Sequence, residues 1–197
     1  YRFDAIWGNN ARNPEFSKQL RLALKRIKPE LLLLAEDKAT WPMVFDERFD
    51  VAYDWAAEEN WVSHWVWQTT YAPNGNPTLF NQNETLRGRR LRDAMTNYGK
   101  GYHPRAKILR FMENNDTQRF KEFHGLECTR MVATFMFSIH GIPLIYNGQE
   151  AGVDNHPYET EFIFWPGLPI KARDEFGLFP FYQNLCRLRS QFPAFTS

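Results

Sequence analysis

The sequence predicts an α/β fold built on a parallel sheet. Short apolar runs alternate with helical patterns along the chain, the order that produces parallel strands joined by helices. One run, Leu31-Leu32-Leu33-Leu34-Ala35, is apolar without alternation, as in a strand covered on both faces. Several of the runs lead into a carboxylate.

Tyr1 to Ala5 is an aromatic and apolar strand reaching the acid Asp4. Asn13-Pro14-Glu15 starts a helix with an N-cap residue, Pro in the first turn and an acid at the positive end of the dipole. Phe16, Leu20, Leu24 and Ile27 recur at helical spacing, Lys25, Arg26 and Lys28 suit the C-terminal end, and Pro29 stops the helix. The leucine run follows at once, so strand, helix and strand form a right-handed unit. Phe49 to Trp55 is the next strand, and the aromatic, polar stretch Trp61 to Asn83 has no assignment. Thr85 to Tyr98 reads as a helix with Leu91, Met95 and Tyr98 on one side, and Lys107 to Met112 as a strand ending in polar residues. Leu126 to Ser138 is an apolar helix closed by Gly141, and Ile142 to Tyr146 a further strand. Phe181 to Arg189 is a last helix, with Phe181, Leu185 and Leu188 in register. That makes about five strands, where a closed barrel of such units has eight.

Composition narrows the function. Hydrophobic residues make up 43% and charged residues 24%, an ordinary globular balance. Lys+Arg 24 against Asp+Glu 23, with no basic stripe, argues against a nucleic-acid partner. No apolar run is long enough to span a membrane, so no membrane partner is expected. The start of the chain lacks the charged-then-apolar pattern of a signal peptide, and localisation stays open. Cys128 and Cys186 lie in helical stretches and read as small buried apolar residues, not as a disulfide or metal ligands. His64, His103, His124, His140 and His156 show no ligand spacing, and no metal site is assigned. Aromatics reach 16%, including seven Trp. Such rings either stack on sugar faces or fill cores.

Asp4, Glu36 and Asp116 each follow a predicted strand. In parallel α/β barrels the C-terminal strand ends line the active site, so acids there converge on one pocket. Acids also follow strands merely because turns favour them. Glycoside cleavage needs a convergent set: one carboxylate attacks the anomeric carbon, and a second protonates the leaving oxygen and then activates water.

Four segments carry a resemblance to a known family. Tyr1-Arg2-Phe3-Asp4-Ala5 resembles the fourth-strand motif of glycoside hydrolase family 13, the α-amylase family. Leu32-Leu33-Leu34-Ala35-Glu36 resembles its fifth-strand motif and Phe111-Met112-Glu113-Asn114-Asn115-Asp116 its seventh. Ile142 to Glu150 is similar to its eighth strand and following loop. The ordered set spans nearly the whole chain. It implies that Asp4 is the nucleophile contacted by Arg2, that Glu36 is the general acid/base, and that Asp116 steadies the transition state through sugar hydroxyls. Arg2 would favour the charged form of Asp4, and the Glu36 site should hold its proton. Asn115 stands where the family usually has His; an amide still donates a hydrogen bond but carries no charge, so it reads as a substrate contact or a turn residue. Trp7 and Gly8 replace a Lys-His pair that some α-amylases carry, which points away from a typical starch α-amylase. Trp7 and Trp41 follow the catalytic strands and are candidates to stack sugars. Arg119 either braces the Asp116 loop or sits exposed at a helix start, and Gln149 and Glu150 read as no more than the end of a strand.

By this resemblance residues 1–197 form a single segment, the C-terminal half of a partial TIM (β/α)8 barrel, strands 4 to 8 with their helices. The N-terminal strands, the family's first motif and much of its structural calcium site would precede Tyr1. The missing N-terminal half is then the chain's natural partner, and the isolated piece is expected to be unstable or inactive because open strand edges are a liability. The implied function is retaining hydrolysis of α-linked glucosides or glucans, with an oligo- or polysaccharide as substrate and no cofactor required for the chemistry. A transglycosylase and a non-catalytic carbohydrate-binding relative are the alternatives.

Overall fold

The computed structural model describes residues 1–54, 106–117, 119–154 and 174–195. Among these residues five strands pair in chain order, every neighbouring pair parallel: β1 (Arg2–Phe3), β2 (Leu34–Lys38), β3 (Val51–Tyr53), β4 (Lys107–Arg110) and β5 (Ile142–Pro143). The helices are α1 (Ile6–Arg12), α2 (Pro14–Ile27), α3 (Pro42–Phe45), α4 (Phe120–Ser138) and α5 (Leu178–Gln191). The parallel α/β architecture expected from the alternation is therefore present. The helix expected over Thr85 to Tyr98, the stretch Trp61 to Asn83, and His64, His103 and His156 lie outside the described residues.

Strand alternation divides the sheet into two faces. Leu33, Ala35, Ala52 and Ile108 point to one side and pack with Ile6, Val44, Phe45 and Phe49 in a core between sheet and helices. Leu34, Val51, Tyr53, Leu109 and Phe111 form a second cluster from the alternate positions. A third core joins α4 to α5 through Val132, Met136, Phe137, Leu178, Tyr182 and Leu185.

Several boundaries differ from the sequence expectation for local reasons. The leucine run was expected to be the strand, yet the strand begins only at Leu34 and continues through Glu36 to Lys38. The Leu31 N–H is taken by the Lys28 carbonyl in the turn after α2, and the Leu33 N–H by the Asp50 carboxylate. Leu33 is nonetheless buried, so the run marks the core better than the ladder. Helix α1 was not anticipated; Ala5 at φ 43 turns the chain directly from β1 into it. A non-glycine residue in the left-handed region stores strain, and here it adjoins Asp4. Helix α4 starts at Phe120, not Leu126, and kinks at Gly125 (φ 75). Helix α5 begins at Leu178, where the Asp174 carboxylate accepts the N–H groups of Leu178 and Phe179 at 2.7 and 2.9 Å. Its buried stripe runs through Leu178, Tyr182 and Leu185, which leaves Leu188 and Cys186 exposed, against the expectation that Cys186 is buried. Cys128 is half-buried on α4, and both cysteines are free thiols.

Gly141 does not close α4 as expected. Its φ is 121, and a Cβ there would lie 2.7 Å from Arg110 Cγ and 2.9 Å from the Ile108 carbonyl oxygen. The glycine admits the fully buried Arg110, whose Nη1 pairs with Asp54 at 2.8 Å and whose Nε donates to the His140 carbonyl at 3.0 Å. Asp54 follows β3 directly and shares the helix-facing parity of Ala52. Arg189 of α5 donates to the carbonyls of Phe137, Ile139 and Gly141, closing the end of α4 from outside.

Helix α2 is tied to β3 by Asp50, which accepts from Arg21 at 2.8 Å and Lys25 at 3.0 Å. Burial opposes the Asp50 charge, but these two cations and the Leu33 N–H outweigh it and hold its carboxyl below the usual range. A depressed acid contributes stability above its unfolded value and loses it as pH falls through its folded value. Asp50→Asn should therefore unfold at lower urea than the parent at pH 7, the two converging in strong acid. Gly141→Ala should cost about 1–3 kcal/mol in the same titration, since strained φ and a backbone clash combine.

Candidate active site

Parity places the first site residues. Arg2 pairs in register with Leu34, and Glu36 lies two residues further along β2 on the same face; Val51 and Tyr53 share that face on β3. The Arg2 guanidinium is their meeting point. Its Nε donates to the Tyr53 hydroxyl at 3.0 Å, its Nη1 pairs with Asp4, and its Nη2 lies 3.0 Å from Glu36 Oε1. The Ala5 N–H donates to the other Glu36 oxygen, so the strained turn after Asp4 is itself a ligand of Glu36.

The two carboxylates differ in setting. The Asp4 side chain is 79% exposed and that of Glu36 15%. Burial raises the Glu36 carboxyl above its ordinary value. The Ala5 N–H and Arg2 pull it back, while the charges of Asp4 and Asp116 push it further up. Exposed Asp4 is open to an incoming molecule, and sheltered Glu36 is biased toward keeping a proton.

Asp116 reaches the same region from the loop after β4, near enough for its charge to act on Glu36, Tyr53 and Tyr146. A side-chain-built turn presents it. The Asp116 N–H donates to Asn114 Oδ1 and the Asn114 N–H to Thr117 Oγ1, each at 2.8 Å. Asn115 is half-buried within this turn. The structure thus brings Arg2, Asp4, Glu36 and Asp116 into one neighbourhood. Trp7 sits 59% exposed on α1, and Trp41 packs against the core between sheet and helices.

Beneath the turn lies a buried network around Arg119, of which sequence reasoning offered the bracing role of Arg119 as one of two readings but not its partner Glu113. Arg119 is 0% exposed, which overturns its reading as an exposed helix-start residue. Its Nη1 pairs with Glu113 at 2.8 Å and donates to the Asn147 carbonyl at 3.0 Å, and its guanidinium lies 4.7 Å from the centre of the Tyr146 ring. The second Glu113 oxygen accepts the Phe120 N–H at 2.6 Å and so starts α4. Burial raises the Glu113 carboxyl, against the pull of Arg119 and that N–H. Gln149 is also more than a strand end. It accepts from the Tyr146 N–H at 3.0 Å and donates to the Tyr182 hydroxyl at 2.8 Å, joining the β5 loop to α5. The available signal was spacing: Arg119 stands three residues after Asp116, and Glu113 three before it.

Among the described residues no group of three or more His, Cys, Asp or Glu is arranged to hold a metal ion, and no helix is long and apolar enough to cross a membrane.

Removing Arg119 while Glu113 stays would strand a buried charge. Arg119→Met should destabilise the protein by about 3–5 kcal/mol, whereas Arg119→Met with Glu113→Leu should recover much of that loss in thermal unfolding.

The sequence model of the α-amylase catalytic domain matches residues 4–173. α-Amylase 2 of Dictyoglomus thermophilum is 34% identical over 103 residues, 48% of this chain and 18% of that protein. A noncanonic maltogenic α-amylase from Thermotoga neapolitana superposes with a TM-score of 0.68 at 22% identity, covering 100% of this chain and 40% of that one. The cyclic α-maltosyl-(1→6)-maltose hydrolase of Arthrobacter globiformis, solved with maltose, gives 0.68 at 17% identity, covering 98% and 41%. These neighbours are barrel enzymes of the α-amylase family, and the chain spans about two fifths of their length. With residues 4–173 of its 197 inside the family match and its fold shared with family enzymes, the chain belongs to the α-amylase catalytic-domain family.

Proposed function

We propose that this chain carries the catalytic carboxylates of a retaining glycoside hydrolase acting on α-linked glucosides or glucans. The observation that carries the proposal is the shared guanidinium: Arg2 bridges an exposed acid, Asp4, and a sheltered acid, Glu36, whose carboxyl burial raises above its ordinary value. Two carboxylates with diverging environments are what assigns nucleophile and acid in a glycosidase.

In the first step an Asp4 oxygen attacks the anomeric carbon while Glu36 gives its proton to the leaving glycosidic oxygen. In the second, Glu36, now ionised, takes a proton from water, whose oxygen displaces Asp4 and restores the free carboxylate. Asp116 would bind the ring hydroxyls, tightening as the ring flattens. Asn115, Trp7 and Trp41 are assigned as substrate contacts; the maltose in the Arthrobacter globiformis relative supports a substrate with α-glucosidic linkages.

The five strands are read as strands 4 to 8 of an eight-stranded barrel. The neighbours' greater length supports this, as do exposed Tyr1 and Leu32 beside β1, which has β2 as its neighbour and an open second edge among the described strands. Activity accordingly belongs to the full-length protein.

The test is product analysis on the full-length enzyme. Proton NMR of the first-formed sugar should show the α-anomer; initial release of the β-anomer would refute retention. Asp4→Asn should abolish turnover, and unchanged turnover would remove Asp4 from the mechanism. Glu36→Gln should cost about 10²–10⁴-fold in kcat/KM. In the parent, activity should fall as pH rises through the Glu36 value, and that limb should vanish in Glu36→Gln.

A further inference from the structure

One guanidinium serving two acids must itself be held in place, and the residue that holds it belongs to none of the four family-like segments. Tyr53 sits on β3, 5% exposed, paired through Val51, Ala52 and its own backbone to β4. Its ring meets Phe111 edge-on at 5.8 Å, and its hydroxyl accepts from Arg2 Nε at 3.0 Å. Arg2, by contrast, lies on a two-residue strand with its side chain 32% exposed. A guanidinium is a rigid planar fork, so fixing Nε fixes the directions in which Nη1 and Nη2 point.

We propose that Tyr53 is a positioning residue: its hydroxyl sets the plane of the Arg2 guanidinium and thereby divides that cation between Asp4 and Glu36. This deepens the glycosidase reading above and rests on it. The groups facing Glu36 are Arg2 and Asp4 from β1 and its turn, the Ala5 N–H, Tyr53 from β3 and Asp116 from the loop after β4. Arg2 is the cation among them, and it lowers the Glu36 carboxyl. Burial raises the Tyr53 phenol, so its hydroxyl stays neutral over the working range and acts by geometry. Without it the fork can swing from Glu36 toward exposed Asp4. Glu36 then binds its proton more tightly, and the Asp4 oxygens are no longer aimed.

The experiment uses the full-length enzyme with Tyr53→Phe, which removes one oxygen and keeps the ring. Expected are a fall in kcat of about 10- to 10²-fold with KM little changed, and a shift of the basic limb to higher pH. Arg2→Lys keeps the charge but loses the fork, so Tyr53→Phe should add almost nothing in that background. Unchanged kcat and pH profile would overturn the proposal, as would a loss confined to KM or an effect fully additive with Arg2→Lys. Should Tyr53→Phe lower the unfolding midpoint, the kinetics are read below it and the double variant still decides. Asp4→Asn is assayed alongside: if it too retains full activity, the glycosidase assignment fails, whereas an inactive Asp4→Asn beside an unaffected Tyr53→Phe overturns the Tyr53 role alone.

Discussion

The site depends on one cation shared by two acids. Arg2 contacts Asp4 through one nitrogen, Glu36 through the second and Tyr53 through the third. Identical carboxyl groups side by side resist ionising together, and a neighbour's charge pushes the second proton up. Here the cation keeps that repulsion within bounds while burial still separates Glu36 from Asp4. The division of labour proposed for the two acids therefore follows from unequal exposure around a common partner.

A few buried ties keep those groups at one end of the sheet. Parity sends Arg2, Glu36 and Tyr53 to one face, and the same alternation sends Asp37 and Arg110 to the other. Asp37 is bound there by Asn10 at 3.0 Å, and Asn10 in turn by Ser17 at 2.6 Å, which pins α1 and α2 behind the strand that carries Glu36. Arg110 and Asp54 lock β3 to β4 on that same outer side. The loop bearing Asp116 has no ladder to hold it, so Glu113, Arg119 and the Asn147 carbonyl do so from below. Such buried charges cost solvation and persist because each is paired.

The sequence made the alternation, the parallel sheet and the three convergent acids legible, because these depend on local pattern: apolar runs, helix starts and acids after strands. The strand limits were less legible. Leu31 to Leu33 look like strand, yet the N–H groups of Leu31 and Leu33 are taken by a turn and by the Asp50 carboxylate, a competition that periodicity does not record. The role of Tyr53 was hidden for a different reason. As one aromatic among many it looked like core filling, and its ring does fill core; only the position of its hydroxyl beside Arg2 distinguishes it. Arg119 left two readings open because a charged residue at a helix start is usually solvated, and its partner Glu113 lay inside a segment read for Asp116 alone.

The weakest support in the site is also its most consequential. β1 pairs with β2 over only two residues, Arg2 with Leu34 and Phe3 with Ala35, and then the chain turns through a strained Ala5. Backbone pairing that short leaves its end free to fray, and a frayed β1 would carry off Arg2, Asp4 and the Ala5 N–H together. Side-chain ties cross that gap. Arg2 reaches past β2 to Tyr53 on β3, Phe3 packs on Phe49 at 5.6 Å, and Glu36 holds the Ala5 N–H from its own strand. The contacts that tune the carboxylates are the same ones that fasten the strand carrying them, so geometry and local stability at this site change together.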